Sequence, residues 1–241
     1  MLKISVKNLS EFSLPDACPK CLWVKNRLSY KYPFGMFPGI FSTIDGYSKK
    51  VTGLSKITGF LSPKCLEDTY PGCKQIPVPD WRKFKATLND VEFRGKPDDL
   101  LVKEDTGHLF IPDYKTSKYR GADDRFAALY DTQLNCYGYI AEQQGHSLDK
   151  LALVYYEPQA EPELSDVLSD DTISMRFVVH IREVPIDFDG LAKTIDKAKS
   201  VLLGDMPLGV PGCKDCGLLD KVVDLLTQGP LSDAIINDLG L

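Results

Sequence analysis

Three short segments constrain the middle of this chain: Gly95-Lys-Pro-Asp98-Asp99, then Ile111-Pro-Asp113-Tyr114-Lys115, then Gln133-Leu-Asn-Cys-Tyr137. Two extended segments, each carrying an acid at its end, are expected to precede a helix. In an extended segment residues two apart face the same side of the sheet, so Asp113 and Lys115 project together. Asp123 then offers an N-cap and Gly145 a stop, while Phe126, Tyr130, Tyr137 and Ile140 recur at helical spacing, which predicts a helix over about 123–144. Gln133 shares that stripe, one turn before Tyr137. An amide on a core-facing stripe needs partners, since burying it unpaired costs roughly 1–3 kcal/mol.

Taken singly, these residues are commonplace. Asp98-Asp99 reads as a turn, and Asp113 with Lys115 as a surface ion pair worth under about 1 kcal/mol. Together they make a donor set for a hard divalent cation. Mg²⁺ suits one or two carboxylates, a carbonyl and waters, which Asp98, Asp113 and the Tyr114 carbonyl can supply. A cation so held neutralises charge building on a phosphodiester and acidifies the attacking water. The Lys115 ammonium would orient that water or stabilise transition-state charge.

The cysteines form a second constellation. Of seven, four pair as Cys18-Pro-Lys-Cys21 and Cys213-Lys-Asp-Cys216, separated by most of the chain. Two such pairs deliver four thiolates to a tetrahedral Zn²⁺ or to an iron–sulfur cluster, and either would clasp the terminal segments together. Cys65, Cys73 and Cys136 have no assigned role, Cys136 being expected inside the helix.

In its motifs the chain resembles the PD-(D/E)xK nuclease superfamily, specifically the RecB-like branch that includes CRISPR-associated adaptation exonucleases. Gly95-x-x-Asp98, Asp113-x-Lys115 and Gln133-x-x-x-Tyr137 match that branch's three motifs in order, and Cys18-Pro-Lys-Cys21-Leu-Trp resembles its N-terminal segment, so the likeness runs from about 10 to about 218. The resemblance implies an α/β restriction-endonuclease-like core, αβββαβ, with a mixed sheet flanked by helices. It implies Mg²⁺ or Mn²⁺ at Asp98 and Asp113, with Lys115, Gln133 and Tyr137 completing a site that cuts DNA, as an exonuclease on single-stranded or duplex ends and within a DNA-processing complex. It also favours a [4Fe-4S] cluster on Cys18, Cys21, Cys213 and Cys216, although relatives often divide the ligands one and three where this chain has two and two. Many relatives add an upstream His or Glu. The histidines here, His108, His146 and His180, come too late for that, leaving Asp45 as the nearest substitute. The missing acid also admits a catalytically inactive DNA-binding or assembly subunit with the same fold.

Composition sets the outer bounds. With 241 residues, 43% hydrophobic and 26% charged, the chain reads as one domain over 1–241. No apolar run approaches the roughly 20 residues of a membrane span, and Met1–Lys7 carries no signal-peptide core, so a cytoplasmic setting without membrane is expected. That compartment favours metal over disulfide for the paired cysteines. The net charge of −5 argues against a general basic coat. Two local basic groups are candidates for nucleic acid: Lys20, Lys25, Arg27 and Lys31, and Lys115, Lys118 and Arg120.

Along the chain, 13–30 reads as a helix opening on a Ser13-x-x-Asp16 capping box. Residues 31–80 are rich in Pro, Gly and Ser with a helix near 40–51, and suit an insertion or lid. Residues 90–116 read as two strands joined at Asp105-Thr-Gly107. Strands over 151–156 and 175–182 flank an acidic loop at 157–171, a helix covers 188–203, and 218–241 forms a C-terminal tail.

Overall fold

The computed structural model describes residues 1–29, 38–61, 63–161 and 174–227. Their order is β1 (Leu2–Ser5), α1 (Val6–Ser10), a 3-10 turn, α2 (Pro19–Arg27), α3 (Gly39–Gly53), α4 (Ser55–Thr58), α5 (Lys64–Thr69) and β2 (Cys73–Gln75). There follow β3 (Lys85–Leu88), β4 (Val91–Arg94), β5 (Leu101–Lys103), β6 (Leu109–Lys115), α6 (Ala127–Gln143), β7 (Leu148–Pro158), β8 (Phe177–Val184), α7 (Phe188–Leu203) and α8 (Lys214–Thr227). The chain forms two compact units, one from 1–15 and 36–199 and the other from 16–35 and 200–241.

The first unit is built on a five-stranded mixed sheet, β2-β5-β6-β7-β8, with a smaller sheet β1-β4-β3. β6 and β7 run parallel with α6 as their crossover; the other pairs of the large sheet are antiparallel. This is the mixed α/β core flanked by helices that the motifs imply. β6 and β7 are buried on both faces, which is why they read as near-continuous apolar runs rather than alternating ones. One face of the sheet carries Phe110, Tyr114, Val154 and Tyr156, packed with Leu61, Leu66 and Tyr70. By strand alternation Ile111, Asp113, Leu151 and Leu153 face the other way, and Gly138 of α6 lies against Leu148 and Leu151 on that side.

Several local readings need correction. Residues 90–116 hold three strands, because β4 ends at Arg94 and pairs with β3 and β1, leaving Asp98 in the connection to β5 rather than in a strand. The β3–β4 hairpin turns at Asn89 and Asp90, with φ of 50° and 62°. Asn and Asp tolerate that left-handed geometry, and this signal went unread. The predicted capping box does not form: Ser13 Oγ donates to the carbonyls of Ser10 and Ala128, and α2 starts at Pro19. Proline suits a first helical turn, where its missing N–H would have no partner. Asp123 sits in a 3-10 turn before α6 instead of capping it, and Asp124 accepts the Phe126 N–H. Gly145 does end the helix, at φ 88°. The helix at 188–203 stands where expected, with Leu191, Ile195, Ala198 and Leu202 buried. Residues 162–171 of the acidic loop and the tail beyond 227 lie outside the described residues.

Gly95 has a packing reason to be glycine. A Cβ there would lie 2.7 Å from the Tyr137 ring and 3.1 Å from Val6. Gly95→Ala should therefore cost about 1–3 kcal/mol and displace Tyr137; a thermal melt matching the wild type would contradict this close approach.

Candidate active site

Asp113 is buried at 2% exposure in the middle of the large sheet, and everything else at the site is arranged around its carboxylate. Lys115, two residues on along β6, brings Nζ within 2.5 Å of Asp113 Oδ2. That close approach is an ion pair, and among the described residues the buried oxygen has no other polar partner. From α6, Gln133 donates Nε2 to Asp113 Oδ1 at 3.4 Å and to the Tyr137 hydroxyl at 3.3 Å, while its Oε1 accepts from Lys115 Nζ at 3.3 Å. Lys115 also rests 4.5 Å from the centre of the Tyr130 ring. The helix stripe brings the amide and the phenol together one turn apart, and Asp113, Lys115 and Tyr137 are the partners the amide needs.

Asp98 and Asp99 divide their work. Asp99, 3% exposed, accepts from Gln75 Nε2 at 2.8 and 2.7 Å, from the Leu100 N–H at 2.9 Å and from the Tyr114 hydroxyl at 3.1 Å. These bonds fix the connection between β4 and β5 and leave Asp98 facing the site. Because β5 is short, β6 loses its neighbour beyond Phe110, and Asp98 Oδ2 takes the free Tyr114 N–H at 3.1 Å. In an extended strand a residue's carbonyl leaves on the same side as its N–H, so the Tyr114 carbonyl faces the same edge.

A residue missed from sequence completes this edge. Lys49, on α3, places Nζ 3.0 Å from Asp98 Oδ1 and 3.0 Å from Asp45 Oδ2. Burial opposes its charge, but Asp98 and Asp45 outweigh that and raise its pKa. The signal lay in the acid-to-lysine spacing of four within a predicted helix. Asp99 and Tyr130 were likewise unassigned, although Asp99 adjoins a motif residue.

The Asp113 carboxyl is pushed up to about 6, chiefly by burial, with Asp98 adding and Lys115 opposing. A buried acid whose Oδ2 meets only the Lys115 ammonium, a second carboxylate close enough to act on it and a main-chain carbonyl on the same edge fit a hard divalent cation. The cysteine quartet belongs to the other unit. Cys18, Cys21, Cys213 and Cys216 bring their sulfurs within 4.8 Å of one another, with Cys18–Cys216 and Cys21–Cys216 at 3.4 Å and Cys21–Cys213 at 3.6 Å. Burial opposes the Cys18 thiolate, yet the Val210 and Cys21 backbone N–H groups and the thiols beside it bring its pKa down to about 6. Burial pushes Cys216 up to about 11. Gly209 is required beside the quartet, since a Cβ would meet Cys216 Sγ at 2.9 Å.

The family model described as the PD-(D/E)XK nuclease superfamily matches residues 59–218. The chain belongs to that superfamily. No curated protein matches it. Solved structures that match include one described as "Crystal structure of SSO0001", 12% identical over 86% of this chain and 79% of that one, with a TM-score of 0.38. Members of the superfamily are metal-dependent nucleases, and the match spans Asp98, Asp113, Lys115, Gln133 and Tyr137 as well as Cys213 and Cys216. No described helix is long and apolar enough to cross a membrane.

Of the candidate basic residues, Lys118 and Arg120 are exposed. On α2, Lys20 pairs with Asp220 at 2.8 Å, and Arg27 stacks on Trp23 while donating to the Leu202 carbonyl. Those two are committed within their own unit; Lys31 lies outside the described residues.

A cation held at Asp113 would need the carboxylate ionised, so its proton would have to leave first. With the folded pKa raised to about 6, Mn²⁺ affinity should fall about tenfold for each pH unit below 6 and level off above it. Titrating Mn²⁺ from pH 5 to 8 checks this, and a flat profile would contradict it.

Proposed function

We propose that this chain is a Mg²⁺- or Mn²⁺-dependent nuclease of the RecB-like branch, cutting DNA from single-stranded ends as an exonuclease. The observation that carries the reading is the buried Asp113 carboxylate, tied to Lys115, Gln133 and Tyr137 and set beside Asp98. Asp98, Asp113 and the Tyr114 carbonyl would hold the cation, which when bound supplies charge neutralisation and an acidified water. Lys115 orients the water or steadies developing charge, while Gln133 and Tyr137 keep Lys115 and Asp113 aligned. Tyr130 supports Lys115 from α6. Exposed Lys118 and Arg120, shortly after Lys115, suit the phosphates of the strand being cut. The described parts of 31–80 suit a covering element, since α3 lays Lys49 against Asp98. The finer assignments, to the branch, to DNA ends, to a cytoplasmic setting and to partners in a DNA-processing complex, rest on the motif resemblance.

For the quartet we propose Zn²⁺. Sulfurs at about 2.3 Å from a tetrahedral Zn²⁺ lie about 3.8 Å apart, close to the 3.4 and 3.6 Å observed. A cubane, with four irons inside the sulfurs, needs a wider cage. Protein purified without air should carry about one zinc per chain and lose it in Cys18→Ala; iron with visible charge-transfer absorbance would overturn the assignment in favour of a [4Fe-4S] cluster.

A second reading, a DNA-binding subunit that does not cut, is favoured by one observation: Lys49 and Lys115 already neutralise both carboxylates. Labelled single-stranded and duplex DNA with Mg²⁺ or Mn²⁺ separates the two. Cleavage should be abolished by EDTA and fall at least about 100-fold in Asp113→Asn and Lys115→Ala. Folded protein that binds DNA but leaves it intact with either cation would establish the second reading.

A further inference from the structure

We propose that Lys49 is the resident counter-ion of Asp98 and competes with the divalent cation for it, so that the cation enters only as Lys49 leaves. The proposal rests on the nuclease reading above.

Both oxygens of Asp98 are already engaged. Oδ2 accepts the Tyr114 N–H at 3.1 Å, a main-chain contact fixed by the strand. Oδ1 faces the Lys49 ammonium at 3.0 Å. A cation bound at that oxygen would sit beside the ammonium, and two positive charges so close repel. The carboxylate is the more confined partner, held by the Tyr114 N–H with its side chain 17% exposed, against 43% for Lys49. Rotation of one flexible side chain into solvent therefore suffices to open the oxygen.

Asp45 gives this exchange its second half. It lies one turn before Lys49 on α3 and holds the same ammonium at 3.0 Å, with its own side chain 51% exposed. Asp45 retains Lys49 near the site after Asp98 is taken, so Asp45 acts here as the arm that holds the lysine. Lys115 is placed differently. Its side chain is only 18% exposed and is held by Gln133 and Tyr130, so it stays with Asp113 while Lys49 departs.

The test is Mn²⁺ titration of protein as purified, with free Mn²⁺ followed by electron paramagnetic resonance at pH 7.5 and helix content checked by circular dichroism. Lys49→Met should bind Mn²⁺ at least fivefold more tightly than wild type, and Lys49→Arg, which keeps the competitor, should not. Lys50→Met removes the same charge from an exposed neighbour and should leave affinity unchanged. Lys49→Met binding no tighter than wild type overturns the proposal, as does an equal gain in Lys50→Met. Asp98→Asn in the Lys49→Met background should erase the gain; its persistence also overturns the proposal. Failure of the nuclease reading is distinguishable: Mn²⁺ binding that survives Asp113→Asn places the cation elsewhere, whatever Lys49 does.

Discussion

A carboxylate buried in the middle of a mixed sheet is the constraint to which this site answers. Asp113 sits on a strand covered on both faces, where its ionised form is penalised by lost hydration. An isolated charge in such a place would stay protonated or unfold its surroundings. Lys115, Gln133 and the proximity of a polar edge make its ionisation tolerable, although burial still holds its pKa up. The same surroundings explain why an amide and a phenol stand on the core-facing stripe of α6, where apolar residues would otherwise pack.

Charge balance extends the same logic outward. Two acids face two lysines: Asp113 with Lys115, Asp98 with Lys49. Asp99 plays a different part, spending its oxygens on Gln75, Leu100 and Tyr114 so that the chain between β4 and β5 keeps one shape. The consequence is a fixed pair of carboxylates with an exchangeable partner on only one of them. Such an edge suits a cation that arrives from water and is held by few protein ligands.

Much of the candidate site's geometry was legible because secondary-structure periods put particular residues side by side. Period-two spacing put Asp113 and Lys115 on one side, and period-3.6 spacing put Gln133 and Tyr137 one turn apart; both hold in the fold. The paired cysteines likewise come together. What sequence could not supply was long-range partnership. Nothing local says that Lys49 reaches Asp98, or that Asp99 rather than Asp98 anchors the connection. Local errors had local causes: Asn89-Asp90 is a hairpin turn whose left-handed signal went unread, and Ser13 donates its hydroxyl to carbonyls instead of capping a helix. The two-strand reading of 90–116 failed because β4 belongs to the smaller sheet.

The central claim is that Asp98 and Asp113 together hold a divalent cation. Anomalous diffraction from crystals soaked in Mn²⁺ tests it most directly. The account predicts a strong peak within coordination distance of both carboxylates and the Tyr114 carbonyl, with the Lys49 ammonium withdrawn from Asp98. Well-ordered density for both carboxylates, no peak between them and Lys49 still in place at saturating Mn²⁺ would contradict it.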